Sequence, residues 1–411
     1  MAKVVLLGVG MQGKAALWDL MKSDSIGEIV AADCTPGFEE YVSSLNCEKI
    51  RSQWLDATDK AALSKIMGDA DVVLELLPGH FAFPVAQLAA ELGVNLVSAM
   101  YFTDAGEADP AKKQQRVEDI ARLNEMAKEK GIVLLPEFGM DPGIDLVLGN
   151  KALSELDTVE VFHSYGAGFP EITSIDNPIS YKFTWSLLGV MRSYLRPARI
   201  ISDGLEISIP AEEMFAASNT HIIDLPELGG PLECFPNGDA VSFAGDFGIA
   251  GTVKAMGRYI CRWPGHGAFW EVMSKSGFLS EAPLQVGDVA VKPAEVTSAI
   301  FGSQDKFFYH GDQRDVGFIR ADARGFKNGK PTRIIYQLID YKDLKTGFTS
   351  MQRTVGFPMS IAAQMIVNGD ISEKGLIYPM EVPYEKFVAE LTRRGMEVTR
   401  VQEVWDGNLK P

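Results

Sequence analysis

Basic side chains are in short supply in this chain. Its 411 residues carry 39 Lys and Arg against 55 Asp and Glu, a formal net charge of −16. A surface of that sign repels polyanions, so nucleic acid and acidic membranes are excluded as general partners. Any anionic ligand must be met by locally placed Lys or Arg. Cysteine is scarce too. Cys34, Cys47, Cys234 and Cys261 lie far apart and form no C-x-x-C, which argues against a zinc site and suits a reducing cytoplasm. The five histidines include no H-x-x-x-H pair, and no metal is expected. No apolar run is long enough to span a bilayer. Met1-Ala2-Lys3 leads straight into an apolar strand rather than a secretory leader, so a cytoplasmic location is expected. Internal repeats and low-complexity tracts are missing as well. What remains is an ordinary globular composition, 46% hydrophobic and 23% charged, long enough for two or three domains.

The most informative feature is at the start. Val4-Val5-Leu6-Leu7 runs into Gly8-Val9-Gly10-Met11-Gln12-Gly13, a full G-x-G-x-x-G, followed by an amphipathic stretch from Lys14 to Met21. A second apolar run, Ile29-Val30-Ala31-Ala32, ends in Asp33, twenty residues after the third glycine. Strand, tight turn, helix, strand and acid in that order are the context that makes the motif specific for a dinucleotide. Gly8 permits the turn, Gly10 lets backbone approach a pyrophosphate, and Gly13 lets the helix pack on the strand. The helix N-terminus offers unpaired N–H groups, including those of Met11 and Gln12, to the phosphates. Gly8 to Lys14 also fits a nucleoside-triphosphate loop. Ala15, however, stands where that loop needs a hydroxyl for magnesium. Asp33 can bond both ribose hydroxyls and would repel a 2′-phosphate, and Cys34, Thr35 and Pro36 supply no arginine. The expected cofactor is therefore NAD, with NADP as the alternative.

The βα alternation continues. Helices are expected over 59–67, 82–92 and 110–130, and strands over 71–77, 95–99 and 132–135. This predicts an α/β fold, a Rossmann doubly wound parallel sheet, with ligands beyond the carboxyl ends of its strands. Those ends add Asp56, Leu77 and Pro78 to the cofactor residues and bring in Ala99–Tyr101 and Glu137–Asp145. After about residue 150 the pattern changes. Asp203-Gly204 and Asn328-Gly329 punctuate alternating runs as hairpin turns. A mixed α+β substrate and dimerisation domain with a largely antiparallel sheet is expected. The division predicted is a dinucleotide domain over 1–145 with a returning helix near 355–370, and a second domain over 146–354 and 371–411.

Three stretches narrow the chemistry: Glu137 to Asp145, Gly166–Pro170 with Asn177–Ser186, and Phe235–Asp239 with Arg258-Tyr259 and Arg262–His266. In the first, Asp141 also reads as the N-cap of a helix opening at Pro142. Together they resemble the saccharopine dehydrogenase (saccharopine reductase) family, which includes lysine 6-dehydrogenase. Asp141–Asp145 matches its D-P-G-I-D. Gly166–Pro170 and Asn177–Ser186 match its G-G-L-P and N-P-L-G-Y-K-F-S-W-S. Pro236–Asp239 matches P-N-R-D with Gly238 in place of arginine, and Met351–Pro358 matches M-A-R-T-T-G-Y-P. Gly166 also stands where the family has a cysteine.

The resemblance implies NAD(P)-linked oxidation of an amine to an imine followed by hydrolysis, or the reverse reduction, with Tyr101 and Asp141 as acid–base groups. Saccharopine is the implied substrate. Lysine, or a polyamine-forming condensation, is the alternative, and a non-catalytic NAD-binding sensor is the alternative from another class. An amino-acid carboxylate needs cationic or N–H donors. Lys182, Arg258 and Arg262 are expected to supply them, with Asn237 and Ser186 assisting; the rival role for each arginine is an ordinary salt bridge. His266 reads as structural, and Phe183 and Trp185 as core. A homodimer is the default assembly.

Overall fold

The structure is a computed structural model that describes residues 1–103 and 109–411. It divides into two compact units, Met1–Val147 with Gln352–Glu397, and Leu148–Met351 with Val398–Pro411.

The first unit alternates β1 (Ala2–Leu7), α1 (Met11–Leu20), β2 (Ile26–Asp33), α2 (Phe38–Ser44), β3 (Ile50–Trp54), α3 (Lys60–Met67), β4 (Val72–Glu75), α4 (Ala82–Leu92), β5 (Asn95–Ser98), α5 (Pro110–Lys130) and β6 (Val133–Leu135), then enters α6 (Ile144–Ser154). The central strands are buried along most of their length, as a parallel sheet covered on both faces requires. Side chains punctuate the helices where the sequence says they should. Asp59 accepts the N–H groups of Ala61 and Ala62 ahead of α3, and Gly131 closes α5 in the left-handed conformation.

The second unit contains β7 (Thr158–Pro170), α7 (Leu187–Ser193), β8 (Ala198–Ser202), β9 (Leu205–Ile209), β10 (His221–Ile223), β11 (Leu232–Pro236), α8 (Ala240–Asp246), β12 (Ala255–Arg262), α9 (His266–Lys275), β13 (Leu284–Val286), β14 (Val289–Val291), α10 (Pro293–Gly302), β15 (Asp315–Lys327) and β16 (Lys330–Tyr341). The chain then returns through α11 (Ser350–Val367), β17 (Gly375–Leu376) and α12 (Tyr384–Arg393), and ends on β18 (Val398–Val404).

The first sheet has the order β17-β6-β5-β4-β1-β2-β3, parallel throughout, so the strand order reverses its direction of growth between β1 and β4. The second runs β10-β11-β12-β7-β15-β16-β18 with β8 and β9 attached. It is antiparallel except for the parallel β7–β12 pair, which makes it mixed. Asn328 and Gly329 turn β15 into β16 with φ of 51° and 70°, the signature of a tight primed turn.

Two expectations change. Residues 371–397 belong to the first unit, because β17 extends its parallel sheet beside β6 and Phe387 of α12 packs edge-on against Phe138 at 5.2 Å. Asp141 does not cap a helix at Pro142. The backbone folds back there, with Gly139 N–H donating to Pro142 O and Ile144 N–H to Gly139 O, both at 3.0 Å. A Cβ on Gly143 would lie 2.1 Å from Gly139 O. The helix therefore opens at Ile144, and Asp145 takes the Gly143 N–H at 2.9 Å.

Candidate active site

The glycine turn is built by close approaches. A Cβ on Gly8, whose φ is +95°, would meet Leu76 O at 2.6 Å, and one on Gly13 would meet Gly8 O at 2.0 Å. Above Gly10 a Cβ would find nothing within 4 Å. α1 opens at that space with no side-chain cap and no acid in its first turn. The Met11, Gln12 and Gly13 N–H groups and the positive end of the helix dipole are therefore left for an anion. The fit to a pyrophosphate is good on both counts. Asp33, at the end of β2, accepts Val9 N–H at 2.6 Å and Thr35 N–H at 2.7 Å, which fixes its carboxylate beside the turn. Asp56, past the end of β3, is fully exposed. Its bonds from Thr58 hold its carboxyl below the usual range, and it shapes the turn into α3.

Leu77 and Pro78 follow β4. The residue that organises this wall is Glu75, which the sequence reading passed over as part of a buried strand. It is fully buried, accepts Ser98 Oγ–H at 2.6 Å and Leu77 N–H at 2.8 Å, and burial pushes its carboxyl up to about 7. Ser98 Oγ in turn accepts Met100 N–H at 3.1 Å, one residue before Tyr101. Tyr101 is 37% exposed. Glu137 N–H donates to Met100 O, so the strands ending at Ser98 and Leu135 bring Tyr101 and the Glu137–Asp145 loop to the same end of this sheet. A lone carboxylate inside Val72–Leu77 was the signal for Glu75.

In the second unit, β12 carries Arg258 and Arg262 on one face. Arg258 is buried over the Phe243 ring at 4.2 Å, and Asn237 N–H donates to its carbonyl at 2.8 Å. Arg262 is buried over the Tyr181 ring at 5.0 Å and donates to Cys261 O.

Two expected substrate groups have partners within the unit. Lys182 is buried, with Nζ donating to Phe308 O and Gln313 Oε1 at 3.0 Å each and paired with Asp176 at 2.7 Å. Its three donors are committed. Ser186 is the N-cap of α7, accepting Gly189 N–H. His266 is buried. It bonds Tyr194 Oη at 2.8 Å, and burial, then the Arg262 charge, hold its imidazole well below the usual value. Phe183 and Trp185 join the surrounding aromatic core.

A Rossmann unit with an open, N–H-lined glycine turn, joined to a mixed-sheet unit, defines a two-domain α/β protein of the dinucleotide-binding class. The family is shown by two family models, the saccharopine dehydrogenase NADP binding domain over residues 4–135 and the saccharopine dehydrogenase C-terminal domain over 139–396; the chain belongs to the saccharopine dehydrogenase family.

An alpha-aminoadipic semialdehyde synthase of Arabidopsis thaliana is 26% identical over 80% of this chain and 36% of its own length. The mitochondrial protein of that name from Mus musculus is 26% identical over 92% and 45%. The chain thus spans less than half of those two relatives. Saccharopine dehydrogenase [NADP(+), L-glutamate-forming] of Saccharomyces cerevisiae is 24% identical over 92% of this chain and 93% of its own. Among solved structures, apo saccharopine dehydrogenase (L-Glu forming) from S. cerevisiae superposes with a TM-score of 0.79 at 22% identity, covering 98% and 100% of the two chains. Homospermidine synthase from Legionella pneumophila in complex with NAD gives 0.66 at 12%, covering 100% and 94%. At these identities the structural likenesses establish the fold. Among the described residues no helix is long and apolar enough to cross a membrane.

Proposed function

We propose that the chain is an NAD-linked dehydrogenase acting on a CH–NH bond, converting saccharopine and water to L-glutamate and 2-aminoadipate semialdehyde or running the reverse imine reduction. The observation that carries this reading is the gathering of the glycine turn, Tyr101 and the D-P-G-I-D loop at the carboxyl ends of one parallel sheet. In this reading the first unit holds the dinucleotide and the second the substrate. When bound, the nicotinamide accepts the hydride. The chain's own groups do the rest. The Met11–Gly13 N–H groups and Asp33 hold pyrophosphate and ribose. Tyr101 or Asp141 takes the amine proton before hydride can leave and returns a proton as water adds to the imine. Arg258, with Asn237 beside it, meets a substrate carboxylate.

Asp33 supports NAD over NADP, although the fungal relatives' names carry NADP(+). A 2′-phosphate would meet a carboxylate whose oxygens are already fixed in place. One observation favours the lysine 6-dehydrogenase reading. Lys182 is committed elsewhere and Gly238 has no side chain where the family pattern has arginine, so cations for a second carboxylate arm are few. The deciding experiment follows reduced cofactor with L-saccharopine and L-lysine offered separately, each with NAD and NADP. Saccharopine turnover is expected. Turnover of lysine alone would replace this reading, and NAD binding without turnover of either would favour a sensor. The reading includes a cytoplasmic homodimer, for which light scattering should give twice the 44.9 kDa chain mass.

A further inference from the structure

Cys234 and Cys261, far apart in sequence, are directly opposite each other on the antiparallel pair β11–β12. Their sulfurs lie 2.7 Å apart, and both residues are fully buried free thiols. Residues so opposed have Cα atoms about 4.5–5.5 Å apart, inside the roughly 4.4–6.8 Å range that a disulfide spans, so no strand has to move for the two to join.

The row continues one strand further, because His221 of β10 is opposite Cys234. Burial, then the Arg324 charge, lowers its pKa to about 4, so the ring is neutral. Burial pushes the Cys234 thiol up, with Cys261 adding to the effect, so the resting pair is protonated. Tyr165, Ile222 and Arg320 line an open cleft of about 530 Å³. The Tyr165 ring contacts both His221 and Tyr259, two residues before Cys261.

We propose that Cys234 and Cys261 form a dithiol–disulfide modification site for a peroxide oxidant. One sulfur attacks a peroxide oxygen as its thiol proton passes to the departing oxygen. The O–O bond breaks, leaving a sulfenic acid and water. The second sulfur then attacks the sulfenic sulfur, the S–O bond breaks and a second water leaves. The sulfurs lose two electrons and two protons, and one hydrogen peroxide becomes two waters. The new bond ties β12, which carries Arg258 and Arg262, to β11, which Asn237 follows.

The test treats the folded protein with hydrogen peroxide, alkylates remaining thiols after unfolding, and maps the peptides by mass spectrometry without reduction. Exposed Cys34 serves as the internal comparator. The expected product is a Cys234–Cys261 linked peptide pair, two hydrogens lighter than the reduced pair and released by a small thiol. Recovery of both thiols free after Cys34 is fully oxidised would overturn the site, as would separate sulfinic acids at the two positions.

Discussion

Asp33 and Glu75 show what single residues decide. In the proposed reading Asp33 sets the adenosine end, and its removal should change cofactor choice rather than fold. Asp33→Ser is expected to raise the NADP-to-NAD ratio of kcat/KM by roughly tenfold, the scale of one lost charge repulsion of about 1.4 kcal/mol. Steady-state kinetics with both cofactors checks it, and an unchanged ratio would count against Asp33 as the discriminator. Glu75 is a buried carboxyl whose folded pKa, about 7, lies above its unfolded value. Its contribution to stability is therefore whole below about pH 4.5 and disappears as pH rises through about 7, worth up to about 3 kcal/mol. Glu75→Gln should be flat over that window while the native protein weakens. Denaturant titrations at pH 5 and pH 8 measure the difference, and parallel curves would remove Glu75 as its source.

The glycine turn and Asp33 were legible because their chemistry is local. The partners of Lys182 were less legible, because Phe308 and Gln313 are more than a hundred residues away and only Asp176 is near in sequence. Cys234 and Cys261 looked isolated because spacing along the chain says nothing about register across strands.

At the scale of elements, short-range pattern served the first unit well. Apolar runs, caps and closing glycines placed α4 and α5 to within a residue, because each boundary is made by neighbours in sequence. Elements defined by distant pairing were harder. β17 has only two residues and exists because β6 offers an edge. α11 begins at Ser350, five residues ahead of the returning helix expected near 355–370, and carries Pro358 inside it. Its register against α1 is set at Gly356, where a Cβ would lie 2.6 Å from Gln12 O and 2.7 Å from Ala16 N. Trp18 and Phe357 stack beside this contact at 5.9 Å. Gly356→Val should therefore push α11 off α1, costing about 1–3 kcal/mol by overpacking. It should also weaken NAD binding, because the displaced helix is the one proposed to hold the phosphates at its N-terminus. Thermal midpoint and a binding titration read the two effects separately. Lost stability with intact affinity would mean that α1 holds its position without this contact.

The whole molecule combines two opposed pH responses. Glu75, in the first unit, favours acid. In the second unit two carboxylates, Asp322 and Glu155, favour their charged form. Asp322 is almost wholly buried and bonded to both Arg324 and Arg333 at 2.6–3.0 Å, and Arg324 also holds the carbonyls of Asn408 and Lys410 at the end of the chain. Burial alone would raise the Asp322 carboxyl; the two guanidinium groups outweigh it and hold the pKa far below the usual range. Glu155 is drawn down to about 2 by Arg400, with Tyr336 and Lys327 assisting.

For such depressed groups the stabilisation is present above the unfolded pKa near 4 and is lost as pH falls through the folded value. Net charge works in the same region. At −16 the chain repels itself at neutral pH and relaxes toward its pI of about 4.9. The three effects together place the stability maximum on the acid side of neutrality, between about pH 5 and 6. Asp322→Asn should lower stability by about 3–5 kcal/mol at that maximum, because it leaves two guanidinium groups without their shared counter-ion, and should flatten the acid limb. Calorimetric midpoints from pH 3 to 9 test this. A native maximum above pH 7, or an acid limb as steep in Asp322→Asn as in the native protein, would show that these groups do not govern the profile.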